Sequence, residues 1–408
     1  MIKISGLHLE RENGLTFLIV TIQSDFCKTE NKLWFNVDSA FEEYLTQDVY
    51  DAFLVAALFP AMFYGEDIEI KGCVSKRLYK NIMSDVQKII QIAYPQMKMI
   101  NIKVGGFKKA EKIKENIIGT GFSGGVDSFA TIYDRFEKEE DPEYRLNTLF
   151  FFNLGQNGKY DDVRTKVHVQ NLYRHEKGFA DEKGMNFILM DSNLFAFYNP
   201  EWEYNAGVLC RVVGILVFER CVSKYYISSS YSYSSIINIG TYQRTSLLTG
   251  LTDPYILPLL STEGTELIVD GEQYTRTEKT ELIASYEPVL RYLNVCVNGD
   301  RGDTNAENCS VCDKCLRTLF ALDVLNLLPN YASVFNLQKY KKLAFKYKCK
   351  QVLLYKTNPF AKDNVDFARF HNHQLPNYFR AWLTLFPENA ILRVKIMILN
   401  FLKSIKFR

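Results

Sequence analysis

The chain has 408 residues, 47% of them hydrophobic and 24% charged, so it is neither wholly disordered nor collagen-like and holds enough apolar material for a sizeable core. Its length predicts two to three domains. With 49 Lys+Arg against 47 Asp+Glu the formal charge is +2, which excludes a global positive field that steers the molecule onto nucleic acid or anionic membrane; any basic surface is local.

Residues 1–112 read as an α+β domain. Leu15–Gln23 (LTFLIVTIQ) and residues 32–37 read as short strands bounded by polar turns. Residues 38–62 and 76–93 carry apolar positions at helical spacing. The most apolar run, Ala52–Tyr64 (AFLVAALFPAMFY), is shorter than the roughly 20 residues a bilayer requires and is expected as a buried helix, so no transmembrane segment is expected. Met1 is followed by neither a long apolar run nor a cleavage site, so no secretory signal is expected. No catalytic cluster stands out here, and the domain reads as structural or substrate-covering. A basic linker, 108–114, follows.

In residues 113–330 the pattern changes. Strands are expected at 116–122, 147–153, 185–190 and 225–228, with helices at 126–136, 161–183 and 205–222 between them. Such alternation predicts an α/β fold with a doubly wound parallel sheet, whose ligands sit at the carboxyl ends of the strands. Between the first strand and its helix lies Gly121-Phe-Ser-Gly-Gly-Val-Asp-Ser128. Gly124 and Gly125 let the backbone turn tightly and bring N–H groups toward an anion. The helix opening at Val126 points its free N–H groups and positive dipole end at the same place. Ser123 and Ser128 add hydroxyls, and Asp127 suits a Mg²⁺ that bridges phosphate oxygens. The loop lacks the terminal Gly-Lys-Ser/Thr of a Walker motif. A Gly-Ser turn with a capping side chain is the plainer alternative. At the end of the second strand, the backbone of Asn153 to Gln156, Gly155 included, is placed to read an adenine; a plain strand-ending glycine explains it equally well.

Nine cysteines are present, and three of them form Cys309-x-x-Cys312-x-x-Cys315, with Cys296 upstream. Four thiolates hold Zn²⁺ in a closed tetrahedral site, which makes the metal structural. An iron–sulfur cluster also uses four thiolates, and free thiols are the third reading. Cys27, Cys73, Cys210, Cys221 and Cys349 read as core or surface cysteines. A metal cluster without a disulfide framework indicates a cytoplasmic protein.

Residues 331–408 are expected as a helical, basic extension broken by Pro359, Pro376 and Pro387. Within it, Ile391–Arg408 carries Arg393, Lys395, Lys403, Lys406 and Arg408 and no acid. A basic amphipathic helix of this kind lies on a membrane surface, binds a partner or docks on its own protein.

The S-G-G-V-D-S loop resembles the signature of the PP-loop ATP pyrophosphatases. Together with the later cysteine motif it resembles the 7-cyano-7-deazaguanine synthase branch of that superfamily, over about residues 115–325. The resemblance implies an adenine nucleotide alpha hydrolase-like fold, ATP split between its α and β phosphates, adenylation of a small-molecule carboxylate (a deazapurine in that family) and attack by ammonia or an amine. It also implies Mg²⁺, structural Zn²⁺ and a homodimer. Carried over by position, Ser123, Gly124, Gly125, Val126, Asp127 and Ser128 hold ATP and Mg²⁺, and Cys296, Cys309, Cys312 and Cys315 hold zinc. Asn153–Gln156 matches the family's similar Tyr-Gly-Gln strand end. Pro258-Leu-Leu260 followed by Thr280-Glu-Leu282 looks like the family's Pro-Leu stretch before a helix, which makes Lys279 the basic residue near the phosphates. Arg211 and Lys279 are candidates for binding phosphate or the substrate carboxylate, or are ordinary surface cations.

The sequence departs from the pattern in three ways. Twelve residues separate Cys296 from Cys309. Asn205–Arg211 stands where the family has Pro-Gly-Arg-Asn. Residues 1–112 and 331–408 are additional, and serve as docking surfaces if the acceptor is a protein. A changed substrate pocket is therefore expected. Three rivals stand beside the ligase: a PP-loop sulfurtransferase acting on tRNA, a defence-type or protein-modifying ligase, and a non-catalytic nucleotide binder. Tyr231 and Tyr233 suit either stacking on a planar ring or an exposed strand, and no histidine is assigned a role.

Overall fold

The computed structural model describes residues 1–25, 31–155, 161–197, 207–238, 250, 252–296 and 308–386. Its strands are β1 (Ile2–Glu12), β2 (Leu15–Gln23), β3 (Lys32–Asp38), β4 (Ile68–Val74), β5 (Ile102–Phe107), β6 (Ile117–Gly121), β7 (Thr148–Asn153), β8 (Asn186–Ser192), β9 (Val222–Ser228) and β10 (Glu266–Asp270). Its helices are α1 (Asp51–Tyr64), α2 (Lys76–Asn81), α3 (Gln87–Ala93), α4 (Val126–Ile132), α5 (Val163–Lys183), α6 (Gly207–Leu216), α7 (Tyr233–Ile237), α8 (Asp253–Ile256), α9 (Arg276–Ile283), α10 (Val289–Tyr292), α11 (Asp313–Val324), α12 (Leu337–Leu354) and α13 (Pro359–Phe370). The chain divides into two compact units.

The first unit holds the ten strands of the described residues in one sheet of order β10-β9-β6-β7-β8-β3-β2-β1-β4-β5. Strands β10, β9, β6, β7 and β8 run parallel. Their spatial order, in chain sequence within this half, is the 5-4-1-2-3 of a doubly wound sheet. The order reverses between β6 and β9. The long apolar run of β7, buried on both faces, is what a strand covered by helices on each side requires.

Antiparallel β1, β2 and β3 then extend the same sheet, and β4 and β5 add to it in parallel. The join is a short antiparallel pairing of Phe35 with Ser192 and Asn36 with Asp191. Side chains reinforce it: Ser192 Oγ donates to the Trp34 carbonyl (2.6 Å), and Asn193 accepts from Trp34 N–H (2.9 Å) and donates to the Lys32 carbonyl (2.8 Å). Residues 1–112 and the parallel strands therefore share one apolar core. Helix α1 is apolar on every side, as a helix with no solvent face must be, and residues 51 to 62 are all buried. Among the described residues no helix is long and apolar enough to cross a membrane.

The second unit contains α7 and α9–α13. Helix α9 opens with a capping box in which Thr275 and Glu278 satisfy each other's backbone N–H groups. Asp363 on α13 accepts from the N–H (3.1 Å) and hydroxyl (2.6 Å) of Thr277, so α13 is tied to the start of α9.

Candidate functional site

The glycine loop leaves the sheet at the carboxyl end of β6. Phe122 N–H still donates to the Phe150 carbonyl (2.9 Å), which fixes the exit point. The Phe122 ring is buried against Phe129 and Phe179, with centroids 5.1 and 4.9 Å away. Ser123 is exposed, Gly124 is buried and Gly125 half-buried. Gly124 has φ +64°, the left-handed region that disfavours a side chain. Gly125 caps α4 at φ −81°, and no side chain occupies the cap position. The first backbone N–H groups of α4 have no intrahelical acceptor by geometry, so the loop presents donors and the positive helix end at the sheet edge. Val126 is fully buried and anchors that helix start. Ser128 is nearly buried, and its hydroxyl donates to the Gly125 carbonyl (3.0 Å), bracing the turn.

Neighbouring strand ends converge on the same edge of this unit. Ser228, closing β9, bonds its Oγ to Thr131 Oγ1 of α4 at 3.0 Å. Arg135 forks onto Asp270, at the end of β10, with contacts of 2.8 and 2.7 Å, and its guanidinium lies 5.0 Å over the Tyr226 ring. Asn153 is buried at the end of β7 and donates to Asp191 of β8 (2.9 Å). Burial raises the Asp191 carboxyl above its ordinary range, against hydrogen bonds from Ser192 N–H and Asn153 that lower it. Gly155 has φ +110°, and an added Cβ lands 2.5 Å from Phe195, so the turn after β7 requires glycine. Asp191 and Arg135 were not singled out in the sequence; an acid directly after an apolar strand was the available signal for Asp191.

The two candidate cations belong to different units. Arg211, on α6 of the first unit, donates to buried Asp253 (3.1 Å). Lys279 is buried on α9 of the second unit. Tyr231 lies in the first unit and Tyr233 opens α7 in the second. Gln156, residues 205–206, Cys27 and the segment 391–408 lie outside the described residues.

The four cysteines of the second unit come together as their spacing predicts. The sulfurs of Cys296, Cys309, Cys312 and Cys315 all lie within 4.8 Å of one another. Cys309 Sγ is 3.8 Å from Cys315 Sγ, and Cys312 Sγ is 3.9 Å from Cys296 Sγ. A tetrahedral Zn²⁺ with Zn–S bonds of about 2.3 Å spaces its sulfurs about 3.8 Å apart. A four-iron cluster places each thiolate on a different iron and spreads them further. The donor set therefore fits a single ion such as zinc. Without a cation, the Cys312 hydrogen bond and burial hold the Cys315 thiol far above its ordinary range, and burial raises Cys309. A bound cation inverts that preference and takes the thiolates.

Asn308 builds the site's frame and was not singled out in the sequence. Its buried amide accepts from Val295 N–H (2.8 Å) and donates to the carbonyls of Leu293 (2.8 Å) and Val334 (3.1 Å). It thus clamps the stretch that ends at Cys296 beside the loop that begins at Cys309. Ser310, at φ +63°, turns the chain between the first two sulfurs of the motif, and its hydroxyl accepts from Asn336 N–H (2.8 Å).

No protein-family model, curated protein or solved structure matches this chain. The fold and the two sites therefore rest on their own geometry.

Proposed function

We propose that this chain is an ATP pyrophosphatase of the PP-loop type, resembling 7-cyano-7-deazaguanine synthase, that adenylates a substrate carboxylate and passes the acyl group to ammonia or an amine. One observation carries the reading: the S-G-G-V-D-S loop leaves β6 beside the point where the strand order reverses. Doubly wound sheets bind their ligands in that crevice, and a helix start there suits phosphate.

The chemistry assigned to these residues is mainly positioning. Backbone N–H groups from Gly124 to Ser128 hold the β and γ phosphates. A carboxylate oxygen attacks the α phosphorus, the bond to the bridging oxygen breaks, and pyrophosphate leaves with the electron pair. Donors already oriented toward the leaving group stabilise its developing charge. Asp127 would hold a Mg²⁺, which would supply charge neutralisation on the phosphate oxygens. The nitrogen nucleophile then attacks the acyl carbon and AMP departs. Zinc at the four cysteines holds structure, because protein fills all four of its positions.

The sulfurtransferase alternative needs a reactive thiol for its persulfide; the sulfurs of the cluster are spaced for one ion and burial pushes the Cys221 thiol up, which leaves the half-buried Cys73 and Cys210 as its candidates among the described residues. An exchange assay tests the proposal: labelled pyrophosphate is incubated with protein, ATP, Mg²⁺ and a panel of carboxylic acids, deazapurine acids included. Label entering ATP only when a suitable acid is present is expected, with one zinc and no iron per chain. Iron with inorganic sulfide, or tight ATP binding without exchange for any acid, overturns it in favour of the sulfurtransferase or the non-catalytic binder.

A further inference from the structure

The balanced net charge conceals a strong division along the chain. Residues 337–408 carry 15 Lys+Arg and 3 Asp+Glu, leaving 34 of the 49 cations and 44 of the 47 acids in residues 1–336: a charge of +12 follows a charge of −10. Within the second unit this basic stretch coincides with exposed aromatic surface. Helical residues 378–386 bury Ala381 and Leu385 against Cys349, Val352 and Leu353 of α12. Their other side turns outward: Tyr378 is 65% exposed, Phe379 67%, Trp382 40%, Leu383 50% and Phe386 49%. The rings of Phe379, Trp382 and Phe386 form a continuous row, with centroids 6.4 and 4.7 Å apart. Arg380 lies 4.9 Å over the ring of Phe345 on α12, which is itself 42% exposed. Lys339, Lys341, Lys342 and Lys346 are exposed on the same helix.

We propose that the exposed aromatic row of residues 378–386, together with the exposed lysines of α12, docks the protein on an anionic bilayer surface. The charge decides the partner's sign: residues 337–386 alone carry 10 Lys+Arg and 2 Asp+Glu, and the pairs of Lys348 with Asp323 and Lys350 with Asp313 still leave an excess of cations. The apolar content decides its class. Aromatic and leucine side chains that stand in solvent beside lysines match the interfacial zone, where rings sit at headgroup depth and cations meet lipid phosphates. Residues 391–408 continue the composition, with five cations, no acid and apolar side chains between them. This docking is peripheral and does not depend on the nucleotide reading.

Flotation of the full chain with vesicles of stated composition tests the proposal. Binding is expected to phosphatidylcholine vesicles containing 30% phosphatidylserine, with about tenfold less to pure phosphatidylcholine, and with loss at high salt. The double variant Phe379→Ser/Trp382→Ser and, separately, Lys341→Glu/Lys342→Glu should each weaken binding about tenfold. Unchanged zinc content and melting temperature establish that either variant remains folded. Equal binding to both vesicles, no binding to either, or unchanged binding by both variants overturns the proposal. So does a lysine-dependent affinity for single-stranded RNA or DNA above that for the anionic vesicles, or self-association abolished by the aromatic variant.

Discussion

Asp51 and Glu219 are fully buried together in the first unit, with the Ser75 hydroxyl between them: it donates to Asp51 and lies 3.5 Å from a Glu219 oxygen. Burial pushes Asp51 up to about 6, and burial with the charge of Asp51 pushes Glu219 well above the carboxylate range. A carboxyl whose folded pKa is raised stabilises the fold fully below its unfolded pKa, near 4, and loses that contribution as pH rises through the folded value. Both carboxyls are raised, so their contribution is lost as pH rises above about 4. Thermal melts from pH 4 to 8 should therefore show a falling melting temperature, and Glu219→Gln should flatten the fall. An unchanged slope in the variant contradicts the assignment. At the metal centre, Cys309→Ser should lose zinc and destabilise the second unit, while Asn308→Ala should keep four sulfurs but release zinc about tenfold more readily to a chelator, as loss of an outer-shell support does. Equal zinc retention by Asn308→Ala and wild type removes Asn308 from the site's frame.

At the scale of elements, the sequence was most legible where periodicity and punctuation agreed. Leu15–Gln23 was expected as a strand and is β2; the helix expected at 161–183 is α5, and the apolar run ending at Asn153 is β7. Strands β1, β4, β5 and β10 were not anticipated. β1 (IKIS and LHLE) and β4 (IEIK) alternate apolar with polar residues, the period-2 pattern of a half-buried strand, so their signal was present in the sequence though interrupted by Gly6 and Gly72; β5 carries two glycines and takes its strand character from its neighbour β4. The helix expected to run to residue 222 ends at Leu216, and β9 begins at Val222. The four sulfurs were readable because short spacings leave one turn little freedom. The clamp by Asn308 was not, since an asparagine among polar loop residues carries no local signal. Likewise, nothing in the spacing of Arg211 announced the buried acid, Asp253, that it meets 42 residues later.

For the whole molecule, two long-range features lay outside what local patterns reveal. One is the continuous sheet: the two short pairings between β3 and β8 put residues 1–112 and the parallel strands on one core. The other is the charge division, invisible in a net charge of +2 and plain once residues 337–408 are counted separately. Both shape the functional account. The first joins residues 1–112 to the sheet that carries the glycine loop, and the second marks a basic stretch in the other unit.

The central claim is that backbone groups at 123–128 hold the phosphates of ATP, and titration calorimetry of ATP with Mg²⁺ against wild type and Gly125→Val tests it most directly. At φ −81° the backbone of Gly125 accepts a side chain without strain, so the substitution changes what the loop can hold and leaves its path available. Binding by the wild-type chain, at least about tenfold weaker in the variant at an equal melting temperature, is the predicted result, a loss of about 1.4 kcal/mol or more. ATP bound equally by both proteins, or by neither, contradicts it.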